Sequence, residues 1–561
     1  MEKGYIQSER VQMLRQAAEL GDAEAQFNLG EAYNNFNVGG VSEDERGAEA
    51  VKWFRAAAAQ GHAKAQFNMG LAYKYENKAE AVKWFRLAAK QGHAEAQLNL
   101  GEALAKGLGM AEDKAEAAKW FRQAAEQGVT EAQFNLAEAL ANGLGVPEDK
   151  AEAVKWLYQA ALRRHAKAQS NLGAALANGE GVAEDKVEAA KWFRMAAEQG
   201  DTEAQFNLAE ALANGLGGAE DKAEAFKLLH QAARNHHVEA QFKLAVALDN
   251  GEVAKDSEFF RWSSDDKYEA YVWFCKAAER GHTEAQFKLA ELLASGVCGW
   301  VPEYKAEAVK LFRLAAEQGH TEAQFKLAVL LASGEGVAEY QAEAVIWLRL
   351  VAEQGQVEAQ FNLGLACLNG VGLAEDKAEA VQWFRLAAEQ GHAGAQFNLA
   401  SAYFKGVGVA EDKAKAVKWY RRAADQGDAE AQFNLGVACH NGEGAAENKA
   451  VAVQWFRLAA EQGHAGAQSN LGVAYKYGWG VAVDMEEAFK WFSLAAEQGL
   501  ASAQYSLYWA YKSGEGVAED QSKAYYWFRL ADKQGHRAGS TYFGSILCQW
   551  RGGILHQNLT R

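Results

Sequence analysis

The sequence predicts an all-α protein in which about fourteen helix-turn-helix repeats stack into a solenoid. Three observations support this prediction. The 561 residues include only two prolines, Pro147 and Pro302, and are rich in the helix-forming residues Ala, Glu, Lys and Leu. A glutamine recurs mostly every 36 residues. A large apolar residue precedes each glutamine by thirteen positions, so every change in repeat length falls elsewhere in the repeat.

The two recurring positions set the phase of the repeats. The glutamine column consists of Gln26, Gln66, Gln97, Gln133, Gln169, Gln205, Gln241, Gln286, Gln324, Gln360, Gln396, Gln432, Gln468 and Gln504. The tryptophan column consists of Trp53, Trp84, Trp120, Trp156, Trp192, Leu228, Trp273, Leu311, Trp347, Trp383, Trp419, Trp455, Trp491 and Trp527. A single pair of short helices cannot bury its apolar side, so neighbouring pairs must stack.

Residues 357–391 illustrate the first helix of a repeat. Ala359, Leu363 and Cys367 recur at the spacing of one helix face. Gly370 follows them, and glycine suits the left-handed position that ends a helix. The glutamine column lies on this helix beside alanine and leucine, so we expect its amides to satisfy backbone groups of a neighbouring turn.

The second helix of the same repeat is predicted from its start signal. Asp376 and Glu379 are three residues apart, and an aspartate at this position accepts hydrogen bonds from free N–H groups of the first turn. Trp383 and Ala387 lie on one apolar stripe, and Gly391 ends the helix. We therefore expect the tryptophan column to lie in the core.

Two further columns are expected to serve packing and helix ends. A phenylalanine follows most residues of the glutamine column, and we expect it to pack between repeats, with ligand stacking as the alternative. Nine histidines share one turn position, which Asp22, Asp201 and Asp428 fill in other repeats. Because aspartate is a good residue for beginning a helix, this histidine column indicates helix capping and not a metal site.

Residues 395–426 give the clearest copy of the repeat. Leu399, Tyr403, Gly406, Gly408 and Trp419 stand at the spacing of the Sel1-like repeat, a relative of the tetratricopeptide repeat. The resemblance covers roughly residues 8 to 545. It implies a right-handed superhelical solenoid of helix pairs that acts as a protein-binding scaffold. Cysteine-rich members carry a disulfide in each repeat, whereas the five cysteines here are far apart.

The repeat phase divides the chain into three parts. Residues 1–20 are predicted to form an N-terminal half-repeat with a helix of the second type only. Residues 21–535 form the repeat array, which carries an insertion at residues 251–267. Residues 536–561 form a degenerate C-terminal half-repeat and a tail.

Composition and motifs exclude several classes of function. The chain has 58 Lys and Arg against 74 Asp and Glu, a net charge of −16, which disfavours nucleic acids and anionic membranes as partners. No run of about 18 apolar residues and no apolar N-terminal segment occurs, so we expect a cytoplasmic chain without membrane insertion. No CxxC pair or nucleotide-binding loop occurs, so neither a metal nor a cofactor is expected.

The position two residues after each glutamine is the first candidate binding surface. Asparagine fills it in ten repeats, among them Asn207, Asn362 and Asn398. Steps of 100° around the helix place this column on the solvent-facing arc. We expect an asparagine ladder that hydrogen-bonds the backbone of an extended peptide.

Three successive repeats carry lysine in place of this asparagine: Lys243, Lys288 and Lys326. These lysines form a candidate basic patch for a carboxylate or an acidic segment of a partner. The alternative is that they are solvated side chains opposite neighbouring glutamates such as Glu291.

The insertion at residues 251–267 is the second candidate, because repeat proteins often place binding insertions at the loop edge. It carries Phe259, Phe260, Arg261 and Trp262. Exposed aromatic residues with an arginine are typical of interface hot spots. The alternative is that they cover a weak joint, since leucine replaces tryptophan in the repeats on either side.

The sequence therefore favours a non-enzymatic, bacterial interaction scaffold whose partner is a protein or peptide. The first alternative is a hydrolase that acts on β-lactam or peptidoglycan substrates, for which Ser264 and Lys267 stand at the S-x-x-K spacing. The two other motifs of that enzyme class are missing. The second alternative is a secreted effector that binds a host protein. A fragment at residues 505–511, rich in tyrosine and tryptophan, is a further place where the repetition breaks.

Overall fold

The structure is a computed structural model that describes residues 2–35, 43–215, 221–251, 266–295, 302–333 and 338–535. These residues form helices and no strands, which confirms the predicted all-α class. The helices are α1 (Glu2–Glu19), α2 (Ala23–Asn35), α3 (Glu43–Ala59), α4 (Ala63–Tyr73), α5 (Lys78–Lys90), α6 (Ala94–Lys106), α7 (Lys114–Glu126), α8 (Thr130–Ala141), α9 (Lys150–Leu162), α10 (Ala166–Asn178), α11 (Lys186–Glu198), α12 (Thr202–Ala213), α13 (Lys222–Arg234), α14 (Val238–Asp249), α15 (Asp266–Glu279), α16 (Thr283–Ala294), α17 (Pro302–Glu317), α18 (Thr321–Ser333), α19 (Ala338–Glu353), α20 (Val357–Asn369), α21 (Lys377–Glu389), α22 (Ala393–Lys405), α23 (Lys413–Asp425), α24 (Ala429–Asn441), α25 (Lys449–Glu461), α26 (Ala465–Tyr477), α27 (Met485–Glu497), α28 (Ala501–Ser513) and α29 (Gln521–Lys533).

The helices pack in chain order. Even-numbered helices are the first helices of the repeats, and odd-numbered helices from α3 onward are the second helices. The chain forms two compact units, Met1–His282 and Thr283–Arg561. Within each unit, every first helix packs against the second helix of its own repeat, which packs against the next first helix. This consecutive pairing is the stacking that the repeat period predicts. No described helix is both long and apolar enough to cross a membrane.

Helix ends are set by the residues that the sequence singled out. Gly370 ends α20 with φ of 66°, in the left-handed region. The carboxylate of Asp376 accepts from the N–H groups of Ala378 and Glu379, both at 2.9 Å, and so begins α21. Both boundaries of the loop in this repeat are therefore predictable from local chemistry.

The core is formed by the residue after the tryptophan column. Phe384 is 2% exposed, and its ring lies against Gly364, where an added Cβ would come within 2.7 Å of the ring. Trp383 is half-buried and packs against the edge of this core, as most residues of the tryptophan column do, so the column is part of the core without being fully buried. The indole has a polar edge, and its Nε1 atom donates to Glu379 at 3.1 Å near the surface.

In the Gly-x-Gly loops that the structure describes, the second glycine serves close packing between repeats. Gly408 has φ of 69°, and a Cβ there would lie 2.0 Å from the carbonyl oxygen of Lys377 in the preceding repeat. Only glycine permits this approach of two backbones. This loop glycine is therefore a structural joint between successive repeats.

Candidate interaction surface

The glutamine column is buried and joins successive repeats. The Nε2 atom of Gln360 donates to the carbonyl of Ala352 at 3.1 Å, and its Oε1 atom accepts from Gln390 at 2.8 Å. The bond to an alanine eight residues earlier recurs along the chain. These amides are hydrogen-bonded inside the array, which confirms their predicted structural role.

The histidine column caps first helices and holds neighbouring repeats. The Nδ1 atom of His62 accepts from the N–H of Ala65 at 3.2 Å, while Nε2 lies 3.0 Å from the carboxylate of Glu24. The ring stacks on Phe27 with a centroid distance of 4.6 Å. Equivalent contacts occur at His165, His237, His320 and His464. Capping by histidine and packing of the phenylalanine column between repeats are both confirmed.

A second set of contacts joins the second helices. The guanidinium of Arg349 donates to the carboxylate of Glu379 in the next repeat at 2.6 Å, and Trp383 donates to the same carboxylate. The hydrogen bond from Arg349 lowers the pKa of Glu379, so this carboxylate is ionised at neutral pH. The pair from Arg122 to Glu152 has the same geometry and also lowers the pKa of its glutamate. These ion pairs join the second helices of successive repeats.

Two kinds of chemistry can be checked among the described residues, a reactive thiol and a metal site. Cys367 is buried, and burial raises the pKa of its thiol to about 11, so it is protonated at neutral pH. No three His, Cys, Asp or Glu side chains in the described ranges are grouped so that they could hold a metal ion. Ser264 lies outside the described residues, and Lys267 is exposed near the beginning of α15.

Each of the three candidate lysines is paired with a glutamate of its own unit. In the first unit, the ammonium of Lys243 lies 2.6 Å from the carboxylate of Glu210. In the second unit, Lys288 and Lys326 lie 3.2 and 3.4 Å from the carboxylate of Glu291. Their side chains are 38%, 44% and 45% exposed. The three lysines therefore lie opposite glutamates, as the alternative interpretation of the sequence predicts. Their ammonium groups remain accessible from solvent.

The asparagine ladder is not uniformly exposed. Asn207 and Asn362 are half-buried, whereas Asn398 is 1% exposed. The expectation that Asn398 lies on a solvent-facing arc is therefore wrong, because every residue from Ala395 to Tyr403 of α22 is buried. Both polar atoms of the Asn398 side chain lack a hydrogen-bond partner. An extended peptide cannot reach this amide in the conformation described.

The aromatic residues of the insertion, Phe259, Phe260, Arg261 and Trp262, lie outside the described residues. The fragment at 505–511 is described. Tyr508 and Trp509 contact each other with ring centroids 5.1 Å apart, and the ammonium of Lys512 lies 4.8 Å from the Trp509 ring. These rings are half-buried on α28, so they present a mixed aromatic and cationic surface.

One column escaped the sequence analysis. The position five residues after the column glutamine is glutamate in four repeats of the first unit, at Glu31, Glu102, Glu138 and Glu210, and in one repeat of the second unit, at Glu291. Most other repeats of the second unit have an apolar residue there, among them Leu365, Val437 and Val473, which are 2%, 3% and 2% exposed. Glu138 is exposed, yet partial desolvation raises the pKa of its carboxyl group. The repeats in the sequence already show this column, in which glutamate is more frequent in the first unit than in the second.

Solved structures of repeat proteins are similar to this chain. The crystal structure of c5321, a protective antigen present in uropathogenic Escherichia coli strains that displays an SLR fold, is similar to this chain at 33% identity and a TM-score of 0.63. That similarity covers 83% of this chain and 93% of the other. A Sel1 repeat protein from Oxalobacter formigenes is 30% identical, with a TM-score of 0.46, over 61% of this chain and 93% of its own. Curated proteins give no match.

The family model for the Sel1 repeat matches fourteen consecutive segments, of which the first is residues 23–62 and the last is residues 501–536. Each matched segment contains the glutamine column and begins with a first helix of the structure. The matches therefore cover nearly the whole helical array. The chain belongs to the Sel1 repeat family.

Proposed function

We propose that the chain is a non-catalytic interaction scaffold that binds a partner protein or extended peptide on the exposed side of its first helices and at its loop edge. The observation that carries this proposal is how the repeated residues are used. Glutamine, histidine, phenylalanine and loop glycine are occupied in contacts between repeats. The positions that differ from repeat to repeat are those left for recognition.

The first unit supports a charged recognition surface. Its first helices carry half-exposed glutamates such as Glu102 and Glu210, and Lys243 pairs with Glu210. Asn207 lies on the same helix as Glu210. A partner that meets this surface exchanges exposed ion pairs, which are individually weak, so affinity has to come from several repeats together.

In the second unit, the polar candidates are Lys288, Lys326 and Asn362, with the Tyr508 and Trp509 surface on α28. Leu365 is buried on the same helix as Asn362, so this helix offers less polar surface than α12. Aromatic residues beside a lysine are typical of the anchors of protein interfaces.

Capture of partner proteins from a cell extract tests the proposal. The chain is compared with the variant Lys243→Glu/Lys288→Glu/Lys326→Glu and with a control, Lys83→Glu/Lys191→Glu/Lys310→Glu. The control changes the charge equally on second helices, at lysines that are also paired with a glutamate. We expect the first variant to lose a specific protein that the control retains. Equal capture by all three chains would exclude the three lysines from the partner-binding surface.

The non-enzymatic part of the proposal is tested with a chromogenic β-lactam. We expect no turnover by the chain. Turnover that disappears in the variant Ser264→Ala would establish the hydrolase alternative.

One observation favours the secreted effector as a second candidate. The similar structure c5321 is described as a protective antigen. Antigens that protect are accessible to the immune system, so an extracellular location of this chain would fit binding to a host protein. Detection of the chain in washed cells and in culture supernatant, against a cytoplasmic marker, decides between the two locations.

A further inference from the structure

A histidine ring fills an equivalent slot at several joints between first helices, which we call the histidine slot. At the joint between α8 and α10, the ring of His165 stacks on Phe134 at 4.7 Å, and its Nε2 atom lies 3.0 Å from the carboxylate of Glu131. Its Nδ1 atom accepts from the N–H of Ala168 at 3.1 Å. The histidine slot thus holds a planar group with a hydrogen-bond donor, between an apolar face and a carboxylate.

The joint between α6 and α8 has the slot without the ring. Val129 takes the place of histidine and makes no side-chain hydrogen bond to α8, and Leu98 takes the place of phenylalanine. Glu95 keeps the place of the glutamate, and its carboxylate forms no ion pair or hydrogen bond within the described ranges. The result is an open pocket of about 610 Å³, lined by these three residues together with Glu131 and His165.

This combination of residues distinguishes the α6–α8 joint from others. In three other joints without histidine the glutamate is missing as well, and the residue pairs are Asp201 with Lys167, Asp428 with Gly394, and Leu500 with Gly466. The joint between α18 and α20 keeps the glutamate as Glu322, but it also keeps the aromatic ring as Phe325, and Gln356 takes the place of histidine. Arg163 contacts Gly128, which lines the pocket, and its guanidinium donates to the carbonyl of Gly128. Glu95 is therefore open to a group from outside the chain.

We propose that this pocket binds an arginine side chain of a partner protein, in the place that histidine takes at other joints. The proposal rests on the scaffold function and names the chemistry of one partner contact. A guanidinium is planar, as imidazole is, and it carries a charge at every physiological pH, so it pairs with the carboxylate of Glu95 through two parallel hydrogen bonds. Leu98 and Val129 supply apolar walls for the three-carbon stem of the arginine.

The first test uses the peptide acetyl-Ala-Arg-Ala-amide, with citrulline in place of arginine as the neutral control. The full chain carries ¹³C-labelled methyl groups on leucine and valine, so that Leu98 and Val129 report binding directly by NMR. We expect the arginine peptide to shift both signals and the citrulline peptide to leave them unchanged. Equal shifts with both peptides would overturn the proposal.

Charge at the pocket is tested with matched glutamate variants. Glu95→Gln removes the proposed partner of the guanidinium, and we expect about tenfold weaker binding of the arginine peptide. Glu203→Gln removes the same charge where His237 already fills the slot, with Nε2 3.1 Å from the carboxylate, and we expect no change. If both variants bind the arginine peptide equally weakly, the peptide is attracted by the overall negative charge of the chain, and the proposal is overturned.

A third variant fills the pocket from within. Val129→His supplies the ring that other joints have, so we expect it to raise the unfolding midpoint and to abolish the peptide shift of the Leu98 methyl groups. A stable Val129→His variant that still binds the peptide would refute the assignment. If the original chain captures a partner protein but does not bind the arginine peptide, only the arginine pocket is refuted. If it binds the peptide but captures no partner, only the scaffold function is refuted.

Discussion

The turn after α9 and the turn after α21 join repeats in the same way with different residues. After α21, the side chain of Gln390 donates to Gln360 and to the carbonyl of Gly355, and Gly391 takes φ of 99°. After α9, two arginines stand at these positions. The backbone hydrogen bonds of the turn are formed in both places. Because the backbone follows the same path in both turns, differences between the two joints come from the side chains.

The arginine turn keeps one of the two side-chain bonds and adds backbone strain. The guanidinium of Arg163 donates to the carbonyl of Gly128, as Gln390 does to Gly355. It does not reach Gln133, whose buried Oε1 atom is left without a partner. Arg164 has φ of 64°, which is unfavourable for a residue with a Cβ. The array thus tolerates a weak joint, because stacking with both neighbours holds each repeat in place.

The strongest way to break the regular joint is Gln360→Leu, with Gln133→Leu as its counterpart at the arginine joint. Gln360→Leu removes two hydrogen bonds of a buried amide, and the carbonyl of Ala352 keeps only its bond from the N–H of Gly355, so we expect a loss of about 3 kcal/mol. Gln133 loses one bond, and we expect about 1.5 kcal/mol. Amide hydrogen exchange in α20 and in α8 measures the local free energy of opening. Equal losses would show that the bond between the two amides contributes nothing.

The weak joint can be repaired with Arg164→Gly. Glycine adopts a positive φ without steric cost, and we expect a gain of about 1 kcal/mol in the free energy of opening of α10. Adding Arg163→Gln supplies a donor to Gln133 and raises the gain further. The reverse change, Gly391→Arg, introduces only strain, because an added Cβ there meets no neighbouring atom. If Arg164→Gly raises the free energy of opening but Gly391→Arg does not lower it, the positive φ is not the cause of the difference.

The helices and the packing columns were predictable because each repeat meets the same neighbours. Gln360 and His62 use contacts that recur every repeat, so their pattern in the sequence reports those contacts. Residues of helix ends, such as Asp376 and Gly370, were predictable from backbone chemistry alone. The consecutive pairing of helices in each unit follows from these local rules.

Exposure of the candidate site was not predictable, because it depends on helices that one repeat does not contain. Helical geometry alone places Asn398 away from its own core, yet neighbouring elements bury α22 on every side from Ala395 to Tyr403. The pocket beside Glu95 was missed for a different reason. It exists where two residues, Leu98 and Val129, are smaller than their equivalents, and only the assembled joint shows the space they leave.

The third prediction concerns Asn398, a buried amide that has no hydrogen-bond partner, unlike the hydrogen-bonded amide of Gln360. Asn398→Leu removes two buried polar atoms that have no hydrogen bond, and the new methyl group faces a cavity of about 20 Å³ beside Ser401. We expect a gain of about 1 kcal/mol in the free energy of opening of α22. The matched change Asn362→Leu, at a half-buried position, should have almost no effect. A lower free energy of opening of α22 in Asn398→Leu would contradict this prediction and indicate that a bound molecule satisfies the amide of Asn398.

The smallest predicted effect concerns pH at the His93 cap. Its Nδ1 atom accepts from the N–H of Ala96 at 3.3 Å, and burial lowers the pKa of the ring below 6.5. The unfolded chain therefore takes up a proton near pH 6.5 that the folded chain does not, and the stability of this joint falls as the pH drops through that value. Lys64 stands where other joints have a glutamate, and it lowers the pKa further.

The change His93→Asp follows a solution that the chain uses elsewhere, since Asp201 caps α12 where Lys167 holds the position of Lys64. Aspartate is ionised throughout the range from about pH 7.5 to about pH 5.5, so the cap no longer depends on the imidazole. We expect hydrogen exchange in α6 to accelerate on acidification in the original chain and to accelerate less in the variant. If both chains respond equally, a group other than His93 controls the acid sensitivity of this joint.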